Sequence, residues 1–158
     1  MADRIGYIAL GGNLGDRERT LRQAVMLLDE LGDVEVLRIS HWIQTHPVGG
    51  PPGQGLYLNG AAEIRTCLEP LDLLAATRQV EAAMGRDRSR EVAWGPRTCD
   101  LDILLLGDAV IDTPELKIPH PLMHQRLFVL EPLAQIAPDA MHPVLKKTVS
   151  QLLAELKL

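Results

Sequence analysis

Four short apolar runs separated by two segments of helical period impose the order strand, helix, strand, strand, helix, strand, which leaves few ways to build one core. Residues 5–10, IGYIAL, run into Gly11 and Gly12 as a buried strand enters a tight turn. From Asp16, DRERTLRQAVMLLDELGD puts Leu21, Val25, Leu28 and Leu31 at helical spacing, with Asp16 as N-cap and Gly32 as the stop. Residues 34–44 and 56–66 are rich in β-branched residues with partial alternation, so both read as strands. A second helix has Pro70 in its first turn, turns Leu73, Leu74, Thr77, Val80 and Met84 inward, and stops at Gly85. Residues 100–106, DLDILLL, make the fourth strand. This is the split βαβ order of an α+β, ferredoxin-like sandwich with a mainly antiparallel sheet. Its helices are expected on one sheet face, with the other face left for a ligand. Residues 107–158 add a C-terminal extension: a small ribbon in AVIDTPELKIPH, a short helix around Glu131 to Ile136 and a final helix from Ser150. With 158 residues, 46% of them hydrophobic, one domain over 1–158 is expected.

Net charge is −5, which argues against a broad nucleic-acid surface, yet four of twelve arginines (Arg86, Arg88, Arg90 and Arg97) fall within twelve residues. That is the pattern of a discrete anion site on an acidic protein. No run approaches the roughly 18 apolar residues of a membrane span, and the start lacks a basic leader with an apolar stretch. A soluble cytoplasmic protein is expected. Cys67 and Cys99 are too few for a disulfide framework and lack zinc spacing, so both read as reduced, mostly buried thiols.

Asp100 and Asp102 stand two apart on a strand, so both side chains leave the same sheet face. Taken alone, such a pair fits an exposed acidic strand edge as well as a metal site. Here the pair interrupts a strongly apolar strand, where unpaired carboxylates cost several kcal/mol unless cations compensate. Hard divalent ions such as magnesium suit carboxylate and phosphate oxygens. The loop GRDRSREVAWGPRT delivers its arginines to the same strand end, and guanidinium forks bind phosphate bidentately, so the combination describes a polyphosphate site. Arg90 fits a solvated loop equally well, whereas Pro96 stiffens the chain just before Arg97. Tyr57 and Asn59 also share a strand face, an aromatic plane beside an amide that both donates and accepts, as a flat heterocycle requires, although a half-buried strand pair explains them too. Phe128 in FVL fits an ordinary core run, and His120 between two prolines fits a simple turn. His46, His124 and His142 show no metal-ligand spacing. The segment GGNLG is followed by no Lys-Ser or Lys-Thr and reads as a strand-to-helix turn that can still approach a ligand. THPVGGPPGQG, residues 45–55, is longer than a hairpin needs, and it and residues 85–98 are expected to act as lids. GxSxG, HExxH and CxxC are absent, which disfavours hydrolase, zincin and redox readings.

WGPRTCDLDILLLG resembles the signature of the 6-hydroxymethyl-7,8-dihydropterin pyrophosphokinases of folate biosynthesis, and ALGGNLGD, THPVGGPP with YLNGA, and IPHPLMHQRLFVLEPL extend the resemblance over nearly the whole chain. The resemblance implies transfer of pyrophosphate from ATP to the hydroxymethyl group of the pterin, with AMP as coproduct. It implies that Asp100 and Asp102 hold two magnesium ions and that Arg86, Arg88, Arg97, His120 and Arg126 meet the phosphates or nearby groups of ATP. Arg86 and Arg97 join the two aspartates as catalytic residues. Glu81, Trp94 and Ile103 would help form the nucleotide site, Tyr57 and Phe128 would sandwich the pterin, and Thr45, Pro47, Val48 and Asn59 would read its edge. Small-molecule substrates, no nucleic acid or membrane partner, and a monomer are implied as well. Ala93 stands where the family usually has a basic residue, which Arg90 could replace, and Cys99 stands where an aliphatic is commoner. A pterin- or nucleotide-binding module without catalysis and a metal-dependent phosphodiesterase are the rival readings.

Overall fold

The computed structural model describes residues 3–13, 15–46, 52–85 and 99–158. Its strands are β1 (Arg4–Gly12), β2 (Val34–Ile39), β3 (Ile43–Thr45), β4 (Tyr57–Thr66) and β5 (Asp100–Leu106), with helices α1 (Arg17–Glu30) and α2 (Pro70–Ala83) between them. The sheet order is β2-β4-β1-β5, β3 pairs with β4, and every pair is antiparallel. This is the expected α+β sandwich. Asp16 caps α1 by accepting from the Arg19 N–H, and Gly32 and Gly85 follow their helices at φ 88° and 90°, a region other residues avoid.

Two boundaries differ from the expectation, and one strand that spans the expected residues carries a bulge. β1 continues through Gly11 and Gly12, which pair with Asn59 and Leu58, because β4 extends past both and β5 reaches Gly11 on the other side. The expected strand over 34–44 is two strands. Ser40 interrupts it by accepting the Ala61 N–H on its own Oγ at 2.8 Å, and the Trp42 ring lies over Gly60, where a Cβ would come within 2.5 Å of the indole. On β5, the register with β1 slips between Tyr7 and Ile8, and a bulge at Leu104 lets both Leu104 and Leu105 face one side while Leu101, Ile103 and Leu106 face the other.

The largest difference concerns the second sheet face. One core packs Ile8, Leu10, Ile64, Leu101 and Ile103 against Leu21, Leu28, Leu73 and Val80 of α1 and α2. A second core packs Ala61, Leu104 and Leu105 against α3 (Leu127–Ile136) and α4 (Val149–Leu156) through Leu130, Leu133 and Leu152, with Met123 of the preceding 3-10 turn. The face expected to be free for a ligand is therefore half covered, because the C-terminal extension has its own apolar stripe to bury. The ribbon is present as β6 (Ile111–Asp112) and β7 (Lys117–Ile118), and a hairpin, β8 (Met141–His142) and β9 (Lys147–Thr148), precedes α4. Thr148 and Gln151 form a capping box on α4. No helix of the described residues is long and apolar enough to cross a membrane.

Candidate active site

The uncovered end of the second face collects the polar side chains. Gly11 on the central strand is opposite Asn59 on one side and Asp100 on the other, Ala9 is opposite Asp102, and Thr45 is opposite Tyr57. Asn59 and Asp100 thus lie two strands apart, about 10 Å at ordinary strand spacing. Gly11 keeps the floor between them low: a Cβ there would meet the Asn59 Oδ1 at 3.3 Å. The Asn59 Nδ2 donates to the Thr45 Oγ1 at 2.8 Å, which fixes the amide of a buried side chain and orients its oxygen. Asp102 is exposed and Asp100 half-buried.

The C-terminal extension brings a third group of residues to this end. The His120 N–H donates to the Leu104 carbonyl at 3.0 Å, so the bulged strand holds His120 beside Asp102. Burial pushes the His120 imidazole below its usual range, the Asp102 charge pulls it upward, and Arg126 pushes it down again. Its Nδ1 accepts the Leu122 N–H, which leaves the proton of the neutral ring on Nε2. Arg126 stacks over the Phe128 ring, with the guanidinium carbon 5.5 Å from the centroid. Phe128 lies in the first turn of α3 and packs against the second core.

Not every expected residue joins this cluster. The Ile103 side chain lies in the first core, on the opposite face from Asp102. Glu81 is buried in the last turn of α2 and accepts the Leu101 N–H at 2.8 Å. Pro47, Val48, Arg86, Arg88, Arg90, Ala93, Trp94 and Arg97, and with them part of the first expected lid and nearly all of the second, lie outside the described residues. Cys99 is buried and Cys67 half-buried. Sequence reasoning gave three contributors no specific role. Gly11 reads locally as a turn glycine and becomes the site floor only through strand pairing. Asn13 donates to the Gln54 Oε1 and the Gly55 carbonyl, at 3.1 and 3.3 Å, and Arg17 donates to the Leu56 carbonyl, so the GGN turn anchors the chain entering β4.

Two carboxylates, a neutral imidazole and a guanidinium facing an amide and aromatic rings suit an anionic, metal-bearing group beside a flat polar one. The profile of the 7,8-dihydro-6-hydroxymethylpterin-pyrophosphokinase family matches residues 7–138. The chain belongs to this family. The 2-amino-4-hydroxy-6-hydroxymethyldihydropteridine pyrophosphokinase of Bacillus subtilis is 53% identical over 134 residues, 85% of this chain and 78% of that protein. The Pseudomonas aeruginosa pyrophosphokinase of the same name is 42% identical over 137 residues, 87% of this chain and 83% of the relative. The fold is shared with the Plasmodium falciparum HPPK-DHPS crystal structure with pteroate, at a TM-score of 0.73 and 16% identity. That likeness covers 98% of this chain but only 42% of the longer one. Pyrophosphokinase family members thus share this arrangement of sheet and helices.

Among the described residues no group of three or more His, Cys, Asp or Glu side chains is placed to hold a metal ion. Magnesium is commonly bound by only one or two carboxylates, with water and substrate phosphate completing the octahedron. The Asp100 and Asp102 oxygens fit that chemistry.

Proposed function

We propose that the chain transfers pyrophosphate from ATP to the hydroxymethyl group of 6-hydroxymethyl-7,8-dihydropterin, in folate biosynthesis. The observation that carries this reading is the common face on which Asp100 and Asp102 stand across Gly11 from Asn59. Family membership supplies the reaction class, an ATP-dependent pyrophosphokinase.

In this reading the pterin lies over Gly11, its edge on Asn59 and Thr45 with Pro47 and Val48, its faces between Tyr57 and Phe128. Asp100 and Asp102 hold two magnesium ions, which when bound neutralise the triphosphate and sharpen the electrophilic character of its β-phosphorus. Arg126, His120, Arg86, Arg88 and Arg97 receive the phosphates, and Glu81, Trp94 and Ile103 border the nucleotide. The pterin hydroxymethyl oxygen bonds to the β-phosphorus while the bond from that phosphorus to the α,β-bridging oxygen breaks. AMP leaves, and the hydroxyl proton is released. The chain's residues contribute by positioning the two substrates and by offsetting charge. The Nε2–H of the neutral His120 ring is suited to donate to a phosphate oxygen. One domain over 1–158, acting as a cytoplasmic monomer, completes the proposal, and light scattering behind size exclusion tests the monomer.

The deciding assay combines the protein with ATP, magnesium and the hydroxymethyl-dihydropterin. AMP stoichiometric with pterin pyrophosphate is expected. Absence of AMP would sink the catalytic reading in favour of a binding module, and pterin-independent hydrolysis would favour a phosphodiesterase.

A further inference from the structure

Tyr57 is the first residue of β4 and stands one position beyond the β1 ladder, whose last pair is Gly12 with Leu58. Its strand partner is Thr45, at the end of the short β3. A strand end paired in this way frays readily, yet the proposed function asks the Tyr57 ring to hold one face of a flat heterocycle. Packing behind this end is open. Trp42, Gln44 and Leu58 enclose with the first turn of α1 a cavity of about 400 Å³. Leu58 belongs to the first core, whereas Ala61, and by alternation Asn59 and Tyr57, face the second. The cavity therefore lies on the sheet face opposite the pterin.

One side chain bridges from α1 to this strand end. Arg17, half-buried on the cavity wall, donates from Nη1 to the Leu56 carbonyl. The helix alone gives no reason for a cation here, since Arg17 is the first residue of α1, where the dipole disfavours positive charge. The acids on either side of it are engaged elsewhere: Asp16 caps the Arg19 N–H, and Glu18 pairs with Arg22. What a guanidinium offers is a charged donor with the reach to meet a backbone carbonyl. Asn13 holds Gln54 and the Gly55 carbonyl, and Arg17 adds the tie next to Tyr57. The oxygen it holds belongs to the planar peptide linking Leu56 to Tyr57, so fixing that oxygen fixes the plane from which Tyr57 starts.

We infer that Arg17 is a positioning residue: from behind the sheet it holds the Leu56 carbonyl, and thereby sets the Tyr57 ring where it stacks on the heterocycle. This rests on the proposed function for the identity of the ligand. Arg17 touches neither substrate in this account and acts through the Leu56 peptide.

The test compares Arg17→Met, which keeps the stem and removes the donor, with Arg17→Lys, which keeps a charged donor. Tyr7 and Tyr57 are the two tyrosines of the chain, so protein labelled with 3-fluorotyrosine gives two fluorine resonances, assigned with Tyr7→Phe. Tyr7, bonded to Glu63 at the far end of the sheet, serves as the internal reference for the fold. In Arg17→Met the Tyr57 resonance should move while that of Tyr7 stays. Calorimetric titration with 6-hydroxymethylpterin, in the presence of magnesium and α,β-methylene-ATP, should show about ten-fold weaker binding, the scale of losing a hydrogen bond from a charged donor. Affinity for α,β-methylene-ATP alone should stay within about two-fold of the parent, and Arg17→Lys should restore pterin affinity to within about three-fold. An unmoved Tyr57 resonance or parent-like pterin affinity in Arg17→Met overturns the inference, as does an equal loss for both ligands, which would mark a general loosening of the site. Should Arg17→Met not fold, Arg17→Ala takes its place with the same expected and overturning results. The fluorine spectra need neither ligand nor turnover, so a parent protein that forms no AMP would defeat the proposed function and leave the tie to Tyr57 to be judged by itself.

Discussion

The second face of the sheet has two ends that treat carboxylates in opposite ways. At the end covered by α3, Glu63 is buried and fully answered by protein groups: the Tyr7 hydroxyl donates to its Oε2 at 3.0 Å, and the Arg38 Nε lies 3.4 Å from its Oε1. Burial and the Glu63 hydrogen bond push Tyr7 up to about 12, and Arg38 continues to the Ile136 carbonyl at the end of α3. At the other end Asp102 is exposed and Asp100 half-buried, with an amide, a glycine floor and a histidine around them. One strand spacing and one sheet face thus serve both purposes. A carboxylate closed off by protein donors holds the fold, and the exposed Asp102 carboxylate is the one that, in the proposed function, meets a cation arriving with a substrate.

Breaking the open end should cost activity and little else. Asp102→Asn is expected to lower kcat for AMP formation by about a thousand-fold, the scale of losing a key electrostatic contact, with a nearly unchanged melting temperature. Turnover near that of the parent would show that the carboxylates at this end are as structural as Glu63. The converse change at the covered end, Glu63→Leu, strands the Tyr7 hydroxyl and Arg38, so urea unfolding should show a loss of about 2 kcal/mol. The kcat of the folded fraction should stay within two-fold or so of the parent. A subtler probe is Gly11→Ala, whose methyl would press on the Asn59 Oδ1; KM for the pterin should rise by about five-fold, with KM for ATP little changed. Equal changes in both constants would mean that Gly11 does not divide the two substrates.

The smallest effect lies in the C-terminal extension, on the β8–β9 hairpin. Burial and the neighbouring His124 ring hold His142 below its usual value of 6.5. The unfolded chain therefore takes up this proton first, so the contribution of His142 is complete above pH 6.5 and is lost as pH falls through the lower folded value. His142 Nδ1 accepts the N–H groups of Val144 and Leu145, a task an Asn oxygen can also perform. His142→Asn should therefore flatten the acid limb of the urea midpoint against pH, and an unchanged limb would place the acid sensitivity elsewhere.

Much of this division was legible in the residues themselves. DLDILLL shows by its alternation that two carboxylates leave one face, and the spans of α1 and α2 follow from apolar spacing, caps and glycine stops, all of which act over a single turn. The site was less legible where it depends on pairing between distant strands. Nothing local to Gly11 says that it will separate Asn59 from Asp100, and nothing in EAAMG shows that Glu81 will reach the Leu101 N–H. The short, strongly apolar LFVLEPLAQI reads as core but does not say which face of the sheet it will cover.

By itself, the sequence determined the order of the elements, the identity of the carboxylate pair and the family, because periodicity, capping and a compact motif are encoded within a few residues of one another. Only the tertiary structure decided that the second face is shared between a closed end and an open one, that the strand over 34–44 breaks at Ser40, and that the Leu101 N–H between the aspartates donates to Glu81 of α2. Those outcomes depend on which apolar surfaces find each other across the sheet and on which edge donors remain to be satisfied, and both are settled only when the whole chain is packed.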